Sequence, residues 1–345
     1  MSNDTQLPVN LFAAQQHLLS ERLHYLLAVL HPVLYADVVR ALEGEGKLLS
    51  QPHTDVDSLH PVLPAGVWPL LTLLVAQQIA PEIDPVCASS VAVAVECFVC
   101  AIDLLDDIID GDHTTTLQAL GAARTLNVST ALLALAQQAI LSLSQQEVDP
   151  KQVLRLLHTL QESALITTAG QHRDVLAEQR SAQDFTLEEC IEIAATKAGS
   201  IMRLACRLGA LCAGTDDVVC EQFSKLGELL GIAHQLDNDS YDLYYLLEGG
   251  ISAAMPTQAA SIKTDLVRGK KTLPIVLAAR MEHTLQRISS LTDKEKEEYL
   301  DNLHEGITTT WGISLLYRER ARDRLQEIEA QRPIDPALRL LLGFE

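Results

Sequence analysis

The sequence predicts an all-α fold, and three observations support this prediction. Of the 345 residues, 48% are hydrophobic but only 4% are aromatic, which is typical of a large aliphatic helical core. Apolar residues recur with helical spacing through most of the chain, and alternation with period two is nowhere sustained. No Pro-, Gly- or Ser-rich linker divides the chain, so we expect one domain over residues 1–345.

The helices are predicted in order from apolar spacing and from proline and glycine punctuation. The first helical region, 11–45, is broken at Pro32, and a polar, proline-containing loop follows over 46–64. Pro69 then begins a helix that runs to about Gln78. The further helices are predicted over 86–110, 117–146, 150–180, 186–213, 217–248, 272–290, 293–303 and 307–330.

Composition excludes several classes of function. The net charge of −20 argues against a nucleic-acid-binding surface, which requires a basic patch. Seven scattered cysteines, including the apolar pair Cys97 and Cys100, favour core residues in a reducing cytoplasm over a disulfide framework or a zinc site. The first twelve residues lack the features of a signal peptide, and charges interrupt each long apolar run, so a cytoplasmic protein without a membrane span is expected.

The most informative segment is AVAVECFVCAIDLLDDIIDGD, at 92–112. Its apolar run ends in Asp106, Asp107 and Asp110, and residues four apart share a helix face. Carboxylates so close repel each other unless a cation neutralises them, and Mg²⁺ ordinarily lies between one or two carboxylates and a substrate phosphate. A solvated acidic helix end is the simpler alternative. The apolar helix leading to the cluster favours a metal site at the mouth of a cavity.

A second polar cluster follows another apolar helix, at 235–242. Gln235, Asn238, Asp239 and Asp242 share one helical face through spacings of three and four. Two such clusters on facing helices would form a binding site for metal and diphosphate.

Three shorter segments carry further polar candidates. The segment GQHRD places Gln171 and Asp174 three apart on a helix, which by itself is typical of a solvent-facing patch. Lys197 lies within a nearly continuous apolar helix, where it either extends to the surface or reaches into a cavity as a charge for phosphate. Lys270 and Lys271 lie in a turn of DLVRGKKTLP; they are either surface residues or a clamp on a diphosphate.

The order and type of these motifs resembles the trans-isoprenyl diphosphate synthase (polyprenyl synthetase) superfamily over roughly residues 60–280. DDIID, GQHRD, TKAG, HQLDNDSYD and DLVRGKKTLP are each similar to one of its motifs. The resemblance implies a class I isoprenoid synthase helical bundle around a deep apolar pocket, usually dimeric. It also implies three Mg²⁺ ions and an allylic prenyl diphosphate as the substrate.

The resemblance assigns roles to individual residues. The implied metal ligands are Asp106, Asp107, Asp110, Asp174, Asn238, Asp239 and Asp242, of which Asp106, Asp107, Asp110 and Asp239 are the predicted catalytic residues. The implied contacts to the substrate diphosphate are Lys197, Gln235, Lys270 and Lys271. The implied pocket residues are Trp68, Ala101, Ile102 and Gln171.

The sequence departs from the family pattern where an elongating synthase binds isopentenyl diphosphate. Aligning LPAGVWP with the family's GGKxxRP segment places Ala65 at its lysine and Trp68 at its arginine. No RRG segment follows the first aspartates; Arg124 is the only arginine nearby, and the turn there offers only His113. Asn238 also replaces an aspartate of the second motif, as is usual in terpene synthases. The acceptor site is therefore predicted to be lost.

Three hypotheses follow, in this order. The first is a terpene synthase that releases diphosphate from an allylic substrate alone and forms no longer prenyl diphosphate when isopentenyl diphosphate is added. The second is a prenyltransferase, either resembling the tryptophan isoprenyltransferases that modify bacterial pheromone peptides or elongating a prenyl diphosphate. The third is a non-catalytic subunit of a synthase, against which the intact DDIID motif argues.

Overall fold

The computed structural model describes residues 11–50, 64–112, 114–248, 270–281 and 293–344, and within these ranges the regular secondary structure is helical, as predicted. The first eight helices are α1 (Ala13–Leu27), α2 (Pro32–Leu42), α3 (Val67–Ile79), α4 (Pro85–Asp110), α5 (Thr115–Leu141), α6 (Pro150–Ala177), α7 (Leu187–Ala194) and α8 (Ser200–Cys212). They are followed by α9 (Asp217–Glu248), α10 (Leu273–Met281), α11 (Asp293–Glu329) and α12 (Pro336–Leu341).

Local sequence sets the ends of the helix that carries the first aspartate cluster. The Asp84 carboxylate caps α4 by accepting hydrogen bonds from the backbone N–H groups of Val86 and Cys87, and Pro85 occupies the first turn. At the other end Gly111 takes the left-handed conformation, with φ of 70°, which ends the helix immediately after Asp110. The cluster therefore lies in the last turn and a half of a long helix.

The core is built around α4. Most of its residues between Ala88 and Ala101 are fully buried, and α4 packs against α1, α3, α5 and α8. Two helical segments are long and apolar enough to cross a bilayer: α4, with 78% of its apolar window buried inside the protein, and Thr115–Gln145, with 44%. Its burial identifies α4 as a core helix, whereas α5 leaves part of an apolar face open.

The observed helices differ from the predicted ones at three places. The helix predicted over 186–213 is interrupted by a π turn at Ala195–Gly199. The two helices predicted over 293–303 and 307–330 are one continuous helix, α11, because Gly306 packs against the backbone of Pro274 without breaking the helix. The short α12 is not predicted. Residues 282–290 of a further predicted helix, and 51–63 of the predicted loop, lie outside the described residues.

Candidate active site

Five parts of the chain converge on one cavity of about 410 Å³: α3, α4, α6, the α7–π turn–α8 segment and α9, with the residues before α10 closing it. Its apolar lining includes Val99, Ile193 and Ile201. The predicted site residues in the lining are Trp68, Ile102, Asp106, Asp110, Gln171, Asp174, Lys197, Gln235, Asn238, Asp239, Lys270 and Lys271. The lining residues span more than two hundred residues of the sequence, and both polar clusters, on α4 and on α9, lie in this one cavity.

Lys197 lies inside the cavity and not at the surface. The π turn gives it a non-helical backbone (φ −85°, ψ −105°), and its Nζ donates a hydrogen bond to Asp174 Oδ2 at 2.8 Å. The same Nζ lies 3.6 Å from Asp106 Oδ1. Although burial opposes its charge, these two carboxylates raise the pKa of Lys197 above its ordinary value. The lysine therefore joins α6 to the aspartate cluster of α4 as a cation.

The two lysines before α10 also line the cavity. Lys270 is buried and forms an ion pair with Asp110. Lys271 Nζ donates to the backbone carbonyl of Glu178 at 3.5 Å, and burial lowers the pKa of this lysine. Gly269, in the predicted turn, lies outside the described residues.

Nearby positive charge does not fully compensate the burial of two carboxylates of the first cluster, Asp106 and Asp107. Burial raises the pKa of Asp106 to about 6, even though Lys197 acts in the opposite direction. Burial likewise raises the pKa of Asp107 to about 6, while a hydrogen bond of 2.9 Å from Thr114 Oγ1 partly opposes the shift. Asp107 is not part of the cavity lining, because its side chain turns toward the start of α5.

The second cluster lies across the cavity on α9. Gln235 Nε2 donates to Asp239 Oδ1 at 2.9 Å, and Asn238 Nδ2 lies 3.3 Å from His234 Nε2. The Asp242 side chain lies outside the described part of the structure. Asp237, on another side of the helix, pairs with Arg318 and fixes α9 against α11.

One pocket assignment does not match the geometry. Ala101 is fully buried and absent from the lining; its carbonyl accepts a hydrogen bond of 2.9 Å from Ser129 Oγ of α5. The cavity face of α4 runs through Val99, Ile102 and Asp106, so Ala101 points toward α5. Ile102 is therefore the residue of this pair that meets the cavity.

The residues fit the magnesium ions that the resemblance implies. Asp106 Oδ1 and Gln171 Nε2 are buried and have no hydrogen-bond partner among the residues that the structure describes, and the raised pKa of Asp106 indicates a place for further positive charge. Within the described ranges, no three His, Cys, Asp or Glu side chains converge closely enough to hold an ion by themselves. Mg²⁺ usually takes only one or two carboxylates and completes its shell with phosphate and water, so this donor set suits an ion that binds together with a diphosphate.

Lys47 is a further cation near the cavity, and the sequence motifs did not predict it. Lys47 follows α2, and its side chain, which is 14% exposed, forms an ion pair with Asp103, a residue of the cavity lining. The Gly66 N–H donates to the Gly46 carbonyl at 3.0 Å, so Lys47 lies beside the segment in which Ala65 stands at the family's lysine position. Residues 51–63 separate the two segments in sequence, and spacing alone could not join them.

The two other basic residues that the sequence offers near the expected acceptor site, Arg124 and His113, are not found in the cavity lining of the described structure. Arg124 pairs with Asp37 of α2 and is not in the lining. His113 lies outside the described residues. Trp68 lines the cavity and packs edge-on against His234, with ring centroids 6.3 Å apart. This end of the cavity is therefore partly aromatic, with the Lys47–Asp103 pair beside it.

The structure is a helical bundle around a cavity whose lining combines two carboxylate clusters, lysines and apolar side chains. The model of the polyprenyl synthetase family matches residues 66–307, and the chain belongs to that family. Lys47 precedes the matched range.

Individual relatives agree with this assignment. The chain is 25% identical to the geranylfarnesyl diphosphate synthase of Aeropyrum pernix over 286 residues, which are 79% of this chain and 87% of that protein. It is 32% identical to the tryptophan prenyltransferase ComQ of Bacillus subtilis subsp. natto over 156 residues, 45% of either protein. The geranylgeranyl pyrophosphate synthetase from Geoglobus acetivorans superposes with a TM-score of 0.73 at 20% identity, covering 96% of this chain and 97% of that one. The predicted isoprenoid synthase fold is confirmed.

Proposed function

We propose that the protein is a Mg²⁺-dependent prenyltransferase that joins an allylic prenyl diphosphate to isopentenyl diphosphate. The observation that carries this proposal is Lys47, a cation with a side chain only 14% exposed, which lies beside the segment where Ala65 and Trp68 stand in place of the family's lysine and arginine. The acceptor site was predicted to be lost because the segment with Ala65 and Trp68 offers no cation, and Lys47 supplies one next to that segment.

The donor end suits ionisation of an allylic diphosphate. Lys197, Lys270 and Lys271 all line the cavity, so three ammonium groups are available where the leaving diphosphate gains charge. Mg²⁺ held by Asp106, Asp110, Asp174, Asn238 and Asp239, with Asp107 and Asp242 as further candidates, would add electrophilic stabilisation of that leaving group. Trp68, Val99, Ile102 and Ile201 exclude water from the allylic cation.

The acceptor end needs a cation for a second diphosphate. Lys47 forms an ion pair with Asp103, and this carboxylate keeps the pKa of Lys47 raised although burial opposes the lysine's charge. A diphosphate entering between this pair and Trp68 would exchange one carboxylate partner for a more highly charged one. The allylic C–O bond then breaks, a C–C bond forms to the acceptor alkene, and a proton leaves the acceptor carbon for the released diphosphate.

The comparisons do not support the terpene synthase hypothesis, which the sequence placed first. By their names, the curated relatives reported above are a prenyl diphosphate synthase and a prenyltransferase. Prenyl transfer, the second hypothesis, is the better account.

A second acceptor class has one specific observation in its favour. Trp68 and His234 form an aromatic pair in the cavity lining, which suits an uncharged aromatic acceptor such as a tryptophan side chain of a small peptide. The similarity to a tryptophan prenyltransferase agrees with this alternative.

Homodimer formation is part of the proposal. Leu126 of α5 and Leu154, Leu165 and Ile166 of α6 are exposed by 50%, 64%, 74% and 41%. Exposed large apolar side chains on two helices that pack together favour a protein interface. A second copy of the chain would cover them.

The test compares Lys47→Met with Lys151→Met, a control at an exposed lysine in the first turn of α6. Steady-state kinetics with geranyl diphosphate, isopentenyl diphosphate and Mg²⁺ should show that Lys47→Met raises the KM for isopentenyl diphosphate by 10-fold or more. The KM for the allylic substrate should change less than 2-fold. Equal kinetics in both variants would refute the acceptor role of Lys47. Preference for an indole acceptor would support the alternative.

A further inference from the structure

Two glycines on neighbouring helices hold the π turn that carries Lys197. A Cβ atom added to Gly231 of α9 would lie 2.5 Å from the Ala198 carbonyl oxygen and 2.7 Å from Gly199 Cα. A Cβ atom added to Gly170 of α6 would lie 2.6 Å from Thr196 Oγ1. The turn is therefore in direct backbone contact with α9 on one side and packed against α6 on the other.

Neither contact can relax easily. The atoms that face Gly231 belong to the backbone, so an ordinary contact of 3.4 Å requires a movement of about 0.9 Å. The Thr196 hydroxyl donates to the Glu192 carbonyl at 2.7 Å, which fixes the side chain that faces Gly170. A turn pushed away from α9 meets α6, and a turn pushed away from α6 meets α9.

The position of this turn determines where the Lys197 ammonium group lies. Ala198 and Thr196, which make the shortest contacts with the two glycines, flank Lys197 directly. Its Nζ reaches Asp174 on α6 at 2.8 Å and Asp106 on α4 at 3.6 Å, and only 15% of the side chain is exposed. A displacement of the backbone by nearly 1 Å is a large fraction of these distances.

We infer that Gly231 and Gly170 are positioning residues for the leaving-group lysine, which they hold at the place where the donor diphosphate binds. The inference rests on the proposed function, since it takes Lys197 as a contact to that diphosphate. Neither glycine has a side chain that could touch substrate. They act through the backbone of the π turn alone.

The experiment measures the affinity of the full-length protein for inorganic pyrophosphate with Mg²⁺ by isothermal titration calorimetry. Gly231→Ala should weaken binding by at least 10-fold, and Gly170→Ala should act in the same direction. In a Lys197→Gln background, Gly231→Ala should weaken binding by less than 2-fold further, because the group that it displaces is already gone.

Gly209→Ala is the matched control. A Cβ atom at Gly209 of α8 would lie 2.4 Å from the Thr72 carbonyl oxygen, an equally close backbone contact but ten residues beyond the π turn. It should lower the melting temperature without changing pyrophosphate affinity. Should Gly231→Ala fail to fold, Gly170→Ala and Gly170→Ala/Thr196→Gly replace it: removing the threonine side chain should restore part of the affinity.

The outcomes distinguish the proposed role of Lys197 from the positioning role of Gly231 and Gly170. If Lys197→Gln itself leaves pyrophosphate affinity unchanged, the proposed role of Lys197 is wrong, and the inference fails with it. If Lys197→Gln weakens binding but Gly231→Ala and Gly170→Ala match the Gly209→Ala control, the inference alone is overturned.

Discussion

Glu96 provides a prediction whose size follows from the structure. It is fully buried in the middle of α4, and its Oε1 accepts a hydrogen bond of 2.6 Å from the Leu48 backbone N–H. Its Oε2 has no hydrogen-bond partner among the described residues. Burial raises the pKa of Glu96 from 4.5 to about 7, although Lys47 acts in the opposite direction.

The raised pKa makes stability depend on pH in a defined direction. The folded protein holds this proton more tightly than the unfolded chain, so the stabilising contribution is complete below pH 4.5 and is lost as the pH rises through about 7. Each pKa unit corresponds to about 1.4 kcal/mol. Between pH 5.5 and 8.5, the wild-type protein should therefore lose about 2 kcal/mol relative to Glu96→Gln, whose amide keeps an acceptor for Leu48 but cannot ionise.

The assay is urea unfolding followed by far-ultraviolet circular dichroism at both pH values. Other titrating groups are common to the two proteins and cancel in the difference. Glu305→Gln, at an exposed position of α11, is the control and should show no such pH dependence. A stability difference between the wild-type protein and Glu96→Gln that is the same at pH 5.5 and 8.5 would refute the reasoning.

Three further predictions concern the site and the assembly. Asp110→Ala should abolish diphosphate release while keeping the helical circular dichroism, and EDTA should have the same effect on the wild-type protein; turnover persisting in EDTA would contradict the metal assignment. Lys197→Gln loses a charge-assisted contact of about 1.5–3 kcal/mol, so pyrophosphate affinity should fall by about 10- to 100-fold, whereas Lys225→Gln, at a half-exposed lysine paired with Glu228, should leave it unchanged in the same titration. The wild-type protein should sediment as the proposed homodimer and Leu165→Lys as a monomer; equal masses for the two proteins would contradict an interface at Leu165.

The sequence was sufficient to predict α4 and the convergence of its aspartates with α9. The apolar run that predicts a helix over 86–110 is a local signal, and the observed α4, Pro85–Asp110, matches it within one residue. The ordered motifs were sufficient for the family, which the match over 66–307 confirms.

Three features could not be predicted, each for a physical reason. The π turn at Lys197 depends on close packing against Gly170 and Gly231, which are distant in sequence. Lys47 lies beside the segment that contains Ala65 through a backbone contact between Gly46 and Gly66, which spacing does not encode. Ala101 points toward α5 because the face of α4 that meets the cavity is set by the packing of neighbouring helices.

The central claim is that the enzyme transfers the allylic group to isopentenyl diphosphate. The most direct test incubates the wild-type protein with geranyl or farnesyl diphosphate, Mg²⁺ and radiolabelled isopentenyl diphosphate, and counts label in prenyl diphosphate against diphosphate released. The account predicts one labelled unit incorporated for each diphosphate released, in a product longer than the allylic substrate. Release at an unchanged rate without isopentenyl diphosphate, giving hydrocarbon or alcohol and no labelled prenyl diphosphate, would contradict it.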